Sequence, residues 1–189
     1  ASHTTRGNPM GKSVLVVSAS LRPTSNSHAL ALAFAEGARE AGHDVETVSL
    51  RGKRIEFCRG CLACQAGAAC PLKDDAAAIV ERIVAADAIA FATPIYFYEM
   101  AGQMKTLLDR TNPAFPAKPA FRDVYLLATA ADEDERAFDG AVKGLQGWID
   151  CFDQARLVGT VTASGVDAPG TAEKRLDIIR RARLMGTGI

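Results

Sequence analysis

The sequence predicts an α/β protein in which a five-stranded parallel sheet lies between two layers of helices. Short apolar runs alternate five times with segments of helical periodicity, an order that is typical of parallel sheets. The first run is apolar at consecutive positions, as in a central strand that is buried on both faces. The chain has 189 residues, 48% of them hydrophobic, which is enough for one domain with a substantial core.

Each of the five predicted strands is a short segment with apolar members, which are consecutive in the first and alternate with polar residues in the second. The strands are predicted at residues 13–19, 45–50, 88–93, 124–129 and 157–162. The third is expected to end at Thr93, because Pro94 has no backbone N–H to donate within a sheet. Residues 94–100 are therefore predicted to form a loop.

Five helices are predicted from apolar side chains that recur every three or four residues. The first covers residues 26–41, with Gly42 as its C-cap. Asp74 or Asp75 caps the second, and Thr171 begins the last. The apolar stripes of the second, third and fourth helices are Ile79, Val80, Ile83 and Val84; Met104, Leu107 and Leu108; and Phe138, Val142, Leu145, Trp148, Ile149 and Phe152.

Charge and hydropathy exclude several classes of protein. Lys+Arg and Asp+Glu are each 22, so no excess of one sign favours a nucleic acid or membrane partner. No apolar run approaches the ~20 residues of a membrane span. Residues 1–12 are polar and lack the apolar core of a signal peptide. We therefore expect a flexible tail at 1–12, a single domain at 13–189 and a cytoplasmic location.

The turn after the first strand has the composition of a phosphate site. A strand, a hydroxyl-rich turn and a helix N-terminus bring together unpaired backbone N–H groups and the positive end of the helix dipole. The turn adds hydrogen-bond donors and one guanidinium, which is suited to phosphate. The candidate residues are Ser20, Arg22, Ser25, Asn26 and Ser27. The alternative is that Ser25 or Asn26 only caps the helix.

The loop after the third strand is rich in aromatic residues, although only 6% of the chain is aromatic. Tyr96, Phe97 and Tyr98 are consecutive, so core packing, the alternative explanation, cannot account for all three. In an open parallel sheet, ligands bind beyond the carboxyl ends of the strands, where aromatic side chains can wall a flat, conjugated molecule. A phosphate site and an aromatic wall at one edge predict a bound flavin mononucleotide, FMN.

Four segments between Ser18 and Arg110 carry a family resemblance. They are Ser20-x-Arg22-x-x-Ser25-Asn26-Ser27; the cysteine-rich stretch that ends in Lys73-Asp74-Asp75; Ala86-Asp87 leading to Thr93-Pro94-Ile95-Tyr96-Phe97; and Lys105-Thr106-Leu107-Leu108-Asp109-Arg110. In this order they resemble the NAD(P)H-dependent FMN reductase and iron–sulfur flavoprotein group, which has the flavodoxin-like three-layer fold. Beyond Arg110 the resemblance consists of the alternation of strands and helices.

The resemblance implies FMN held without a covalent bond, with NAD(P)H as co-substrate. The phosphate would be bound by Ser20, Arg22, Ser25, Asn26 and Ser27. The isoalloxazine ring would lie along Pro94, Ile95, Tyr96 and Phe97, and its other side would meet Thr129 and Ala130. Members of the group usually form dimers that complete the flavin pocket, so a homodimer or higher homo-oligomer is expected.

Four of the five cysteines lie in one short segment. Cys58, Cys61, Cys64 and Cys70 can surround a metal centre, and their spacing agrees with the cluster motif of iron–sulfur flavoproteins, which carry [4Fe–4S]. Zinc is a rival occupant, and a structural or redox-active thiol loop without metal would have the same sequence. Cys151 is expected to be buried among apolar residues.

Three functions are compatible with these features. The first is an FMN-dependent NAD(P)H oxidoreductase that reduces a small acceptor such as a flavin, quinone, azo or nitro compound, with the flavin carrying the chemistry. The second is an electron carrier that passes electrons between FMN, a [4Fe–4S] cluster and a redox partner protein. The third is a flavin-binding domain without turnover, whose FMN neither pyridine nucleotide reduces.

Overall fold

A parallel sheet of five strands forms the centre of the computed structural model, which describes residues 11–189. The strands are β1 (Ser13–Ser18), β2 (Asp44–Ser49), β3 (Ala88–Tyr96), β5 (Asp123–Thr129) and β6 (Arg156–Ala163), and a short antiparallel strand, β4 (Glu99–Met100), pairs with β3. The parallel strands are ordered β2-β1-β3-β5-β6. This is the flavodoxin-like order, so the predicted fold class is confirmed, with β4 as an addition.

Seven helices surround the sheet in the described part of the chain, and buried side chains form a separate core on each face. The helices are α1 (Asn26–Glu40), α2 (Ala76–Ala85), α3 (Gly102–Asp109), α4 (Ala114–Ala117), α5 (Asp139–Ile149), α6 (Thr171–Lys174) and α7 (Leu176–Thr187), with a 3-10 helix at Glu135–Phe138. Val14 and Val16 of β1 pack with residues of α1 and α7. Leu15 and Val17 pack with residues of α2, α3 and α5. Alternation along one strand therefore supplies both cores.

The chain after Thr93 differs from the prediction, because β3 continues through Pro94 to Tyr96 and turns back into β4. Pro94 remains in register with Thr129 of β5. The pairing of β3 with β1 on its other side ends at Ala92, so a residue without an N–H is tolerated at this position. The loop predicted at 94–100 is therefore wrong, and the aromatic segment is a hairpin.

Two further expectations differ from the structure. The helix predicted from Thr171 is divided at Arg175, whose ψ of 77° is not helical. Cys151 is exposed rather than buried, because it follows the end of α5 at Ile149 and lies off the apolar stripe, which continues to the buried Phe152. The Cys151 thiol donates instead to the carbonyl of Gly147 (3.4 Å).

The predicted N-terminal tail is described only at its end, since residues 1–10 lie outside the described residues. The backbone N–H of Lys12 donates to Nδ1 of His43 (3.1 Å), and its Nζ donates to Oδ2 of Asp123 (3.1 Å). These contacts tie residue 12 to the domain. None of the helices found between residues 11 and 189 has the length and apolar character needed to cross a membrane.

Candidate functional site

One cavity of about 160 Å³ lies at the carboxyl edge of the sheet, bordered by the turn after β1, the ends of β3 and β5 and the loop after β6. It is lined by the predicted residues Ser20, Arg22, Ser25, Asn26, Pro94, Ile95, Tyr96 and Thr129, by Ala131, which adjoins the predicted pair Thr129 and Ala130, and by Val166 and Asp167, which no sequence motif marks. Three predicted residues, Ser27, Phe97 and Ala130, are outside this lining. The edge of the sheet where a ligand is expected thus contains a real concavity.

The turn after β1 brings several hydrogen-bond donors to the N-terminus of α1. The Oγ of Ser20 accepts from the backbone N–H of Arg22 (3.3 Å), and the exposed guanidinium of Arg22 donates to the carbonyl of Asp167 (3.1 Å). Among the described residues, the backbone N–H groups of Asn26 and Ser27 have no hydrogen-bond partner. Free N–H groups at a helix N-terminus beside a guanidinium form an arrangement that binds anions.

Ser25 caps α1, as the simpler interpretation of this turn predicts. Its Oγ accepts from the backbone N–H of His28 (3.2 Å) and lies 3.3 Å from the Oγ of Ser27. Ser27 itself is buried. Burial, and then the charge of Arg51, lower the pKa of His28, whose Nδ1 lies 3.0 Å from the Oγ of Ser18. His28 is therefore neutral at neutral pH and adds no positive charge near the turn.

Asn26 joins this turn to the C-terminal part of the chain. Its side-chain amide donates to the carbonyls of Val166 (3.1 Å) and Ala168 (3.0 Å), and its Oδ1 accepts from the backbone N–H of Ala172 (3.0 Å). Asn26 therefore borders the cavity while it holds residues 166–172 against α1. This contact explains why Val166 and Asp167 line the site, and its partners lie too far along the chain for any local pattern to reveal them.

The hairpin of β3 and β4 supplies the aromatic part of the cavity wall. Tyr96 lines the cavity and is 45% exposed, whereas Phe97 at the tip is fully exposed and points away from any packing. Thr129, at the end of β5, lines the same cavity. Ala130 is buried, and its N–H donates to the carbonyl of Ala163 (2.9 Å). The aromatic segment is thus present at the site, but Tyr96 is its one aromatic lining residue.

A hydrogen bond ties the hairpin to the loop after β5. The hydroxyl of Tyr98 donates to Oδ2 of Asp132 (2.7 Å), whose Oδ1 accepts from the backbone N–H of Asp134 (2.9 Å). The Asp132 carboxylate raises the pKa of Tyr98. The N–H of Asp134, and then the Tyr98 hydroxyl, lower the pKa of Asp132. The pair is therefore a neutral phenol that donates to a carboxylate across the neutral pH range.

The four clustered cysteines line a second cavity, of about 460 Å³, beside α2. Cys58 and Cys61 are exposed, Cys64 and Cys70 are half-buried, and all four are free thiols. Thiolates are ligands for iron–sulfur clusters and zinc. Within residues 11–189, however, no group of three or more Cys, His, Asp or Glu side chains is arranged to hold a metal ion. The ligand chemistry suits a metal centre, but this arrangement of the thiols does not fit one.

The residue after α3 anchors the cysteine segment. Arg110 forms a bidentate ion pair with Asp74 (2.6 and 3.0 Å) and donates to the carbonyl of Glu56 (2.8 Å). The same guanidinium lies 3.5 Å from the Sγ of Cys70, to which it donates. Glu56 and Asp74 flank the four cysteines in the sequence, so one side chain holds both ends of the segment.

A family model described as NADPH-dependent FMN reductase matches residues 13–167. An iron–sulfur flavoprotein of Methanocaldococcus jannaschii is 34% identical over 100 residues, which are 53% of this chain and 52% of that protein. An iron–sulfur flavoprotein of Archaeoglobus fulgidus is 40% identical over 81 residues, which are 43% of this chain and 40% of that protein. The chain spans about half the length, or less, of these curated relatives.

Two solved structures have a similar fold. An NAD(P)H:quinone oxidoreductase from Methanothermobacter marburgensis has a TM-score of 0.69 and 23% identity, over 94% of this chain and 96% of its own. An azoreductase from Bacillus anthracis has a TM-score of 0.72 and 20% identity, over 94% of this chain and 100% of its own. At these identities the likeness shows the fold alone, and it agrees with the parallel sheet and flanking helices described above.

Proposed function

The chain belongs to the NADPH-dependent FMN reductase family, and we propose that it is an FMN-dependent NAD(P)H oxidoreductase that reduces a small acceptor such as a flavin, quinone, azo or nitro compound. The observation that carries this proposal is that an anion-binding turn and an aromatic wall share one cavity. Arg22 and the N-terminus of α1 border it together with Tyr96. FMN requires both surfaces, since it has a phosphate at one end and a flat conjugated ring at the other.

The size of the cavity suits the phosphate end of FMN. Its volume of about 160 Å³ is below the range of about 300–1,000 Å³ for pockets that enclose a whole small molecule. In our proposal the phosphate lies on Ser20, Arg22 and the free N–H groups of α1. The ring then extends out of the cavity along its lining residues Tyr96 and Thr129, with one face open to NAD(P)H and the acceptor.

The protein side chains bind and orient rather than react. When bound, FMN supplies the chemistry, which is hydride transfer from NAD(P)H and electron transfer to the acceptor. Asn26 holds residues 166–172 at the phosphate end, and the hairpin presents Tyr96 to the ring. As the family resemblance implies, a second copy of the chain would complete the pocket, so we also propose a homodimer.

We expect Arg22→Gln to weaken FMN binding about tenfold, because a charged hydrogen bond contributes about 1.5–3 kcal/mol. Riboflavin, which lacks the phosphate, should bind the variant and the natural protein equally well. Flavin fluorescence titrations with both ligands measure this difference. The matched control is Arg180→Gln, which removes an exposed arginine of α7 and should leave both affinities unchanged. Equal loss of FMN and riboflavin affinity in Arg22→Gln would contradict the phosphate assignment.

Turnover distinguishes the three functions. The oxidoreductase proposal predicts that NADH or NADPH bleaches the bound flavin under anaerobic conditions and is consumed steadily when a simple quinone is added. Bound FMN that neither pyridine nucleotide reduces would favour a non-catalytic flavin domain instead. A natural protein that binds no FMN would contradict the proposal altogether.

The shared cavity of the four cysteines favours an electron carrier as the second candidate function. Anaerobic incubation with iron and sulfide, followed by metal and sulfide analysis, tests whether the segment can rearrange around a cluster. About four irons and four sulfides per chain would support electron transfer to a partner protein. Failure to retain iron, with normal FMN binding and quinone turnover, would leave the oxidoreductase proposal alone. Zinc retained in place of iron would indicate a structural site.

A further inference from the structure

The two loops that wall the flavin cavity are joined just beyond their lining residues. Tyr96 and Ala131 line the cavity on the hairpin and on the loop after β5. Two residues past Tyr96 and one past Ala131, the Tyr98 hydroxyl donates to Asp132 (2.7 Å). This hydrogen bond, here called the latch, is the polar side-chain contact that connects the hairpin tip to the opposite loop.

The hairpin tip is strained, so it requires support from outside. Phe97 and Tyr98 have φ values of 51° and 64°, in the left-handed region that suits glycine or asparagine in such turns. Non-glycine residues keep this conformation only where surrounding contacts hold them in place. Phe97 contributes no packing, because its side chain is fully exposed. The support must therefore come through Tyr98 and the neighbouring backbone.

The hairpin packs against α5 at Gly140 and Gly144, and this contact is here called the seat. A Cβ at Gly140 would overlap the carbonyl oxygen of Tyr98, and a Cβ at Gly144 would come within 3.4 Å of Oε1 of Glu99. The absence of a side chain at Gly140 is therefore what allows the hairpin to descend onto α5. Seat and latch act on the same residue, Tyr98, through its carbonyl and its hydroxyl.

We propose that Tyr98 and Asp132 are positioning residues that hold the hairpin closed over the flavin cavity, with Gly140 as the seat on which the hairpin rests. The inference deepens the proposed function and rests on it. The closed hairpin keeps Tyr96 beside the ring of FMN. Without the latch the strained tip relaxes and the wall moves, which lowers FMN affinity and changes the surroundings of the ring.

A double-mutant cycle tests the latch. We expect Tyr98→Phe and Asp132→Ala each to weaken FMN binding about three- to tenfold, the effect of one hydrogen bond, and the double variant to be little weaker than either alone. Asp132→Asn keeps an oxygen for the N–H of Asp134 and an amide that can donate to the oxygen of Tyr98, so it should retain most of the affinity. Tyr125→Phe is the matched control, since Tyr125 is buried in the other core. Additive effects, or an unchanged affinity in Tyr98→Phe, would overturn the proposal.

A changed environment of the FMN ring would show that the latch positions the hairpin and does not merely stabilise the protein. Visible circular dichroism of the flavin, recorded at saturating FMN, should change in Tyr98→Phe and stay unchanged in Tyr125→Phe. Gly140→Ala should produce the same change with the latch residues intact. Gly147→Ala makes the same substitution on α5 in open space and should leave the spectrum and the affinity unchanged. An unchanged spectrum in both Tyr98→Phe and Gly140→Ala would contradict the proposal.

Amide hydrogen exchange, measured without flavin, tests the latch independently of the proposed function. In the flavin-free protein, the amides of Met100 and Ala101 donate to the side-chain oxygens of Glu99 (2.7 Å) and Thr93 (3.0 Å), and they should exchange faster in Tyr98→Phe than in Tyr125→Phe. If the natural protein binds no FMN, the proposed function fails, and exchange still decides the latch. If FMN binds and exchange is equal in the two variants, the latch alone fails.

Discussion

Arg110 carries a positive charge into the interior at one point of the fold. Its side chain is 3% exposed, and that of its partner Asp74 is 0% exposed. Burial by itself would raise the pKa of Asp74, but hydrogen bonds from Arg110 and from the backbone N–H groups of Glu56 and Ala76 lower it. Asp74 also accepts from the first N–H of α2, so the pair joins the cysteine segment, α2 and the end of α3.

We expect Arg110→Met to lower the free energy of unfolding by about 3–5 kcal/mol, because it removes the positive charge that pairs with the buried Asp74 carboxylate. Urea denaturation measures this loss. Arg136→Gln is the control, since Arg136 pairs with Asp134 at the surface, where an ion pair contributes at most about 1 kcal/mol. Equal effects of the two substitutions would show that Arg110 does not anchor the segment.

The stability that Arg110 contributes through Asp74 should depend on pH. The pKa of Asp74 is lowered in the folded state, so its contribution to stability is present above the unfolded value of about 3.9 and is lost as the pH falls through the folded value. The difference between the natural protein and Arg110→Met should therefore shrink as the pH falls from about 4, the unfolded value, through the lower folded pKa of Asp74. A difference that does not change with pH would contradict a charge-based anchor.

At the scale of elements, α1 and α7 approach each other closely through two glycines. A Cβ at Gly37 would overlap the carbonyl oxygen of Arg183, and a Cβ at Gly186 would overlap that of Phe34. Each helix thus presents a glycine to the backbone of the other. This contact fastens the end of the chain to α1, the helix whose N-terminus borders the phosphate end of the cavity.

We predict that Gly186→Ala destabilises the protein by about 1–3 kcal/mol, the usual cost of overpacking. In a helix without such a contact, alanine would instead stabilise the protein by about 1 kcal/mol relative to glycine. A loss of stability in Gly186→Ala therefore shows that the two helices are in contact at this residue. Gly147→Ala, at an exposed position on α5, should be neutral or stabilising. Thermal denaturation of both variants tests this, and a stabilised Gly186→Ala would show that the helices are not in contact there.

The β3–β4 hairpin shows why an element can be misjudged from sequence. Proline usually ends a strand because it removes one N–H from the ladder. In β3 the pairing with β1 has ended at Ala92, two residues before Pro94. Whether a proline interrupts a strand therefore depends on which neighbouring strand has already ended, and that is a property of the sheet rather than of the segment.

At the scale of the whole molecule, FMN binding should raise the thermal stability. A ligand at 100 times its Kd stabilises the folded state by about 2.7 kcal/mol, which is a rise in Tm of about 5–10 °C for a protein of this size. Differential scanning calorimetry with FMN measures the shift. Riboflavin should give a smaller shift, because it lacks the phosphate for Arg22. No shift with FMN, at any concentration, would contradict a flavin site.

The sequence by itself determined the alternation of strands and helices, the hydroxyl-rich turn after the first strand and most of the cavity lining. These features are local, because apolar periodicity and turn composition are properties of consecutive residues. Only the tertiary structure decided that Asn26 holds residues 166–172, that Tyr98 reaches Asp132, and that the four cysteines line one cavity. Such contacts join residues distant in sequence, and they exist only once the sheet and helices pack.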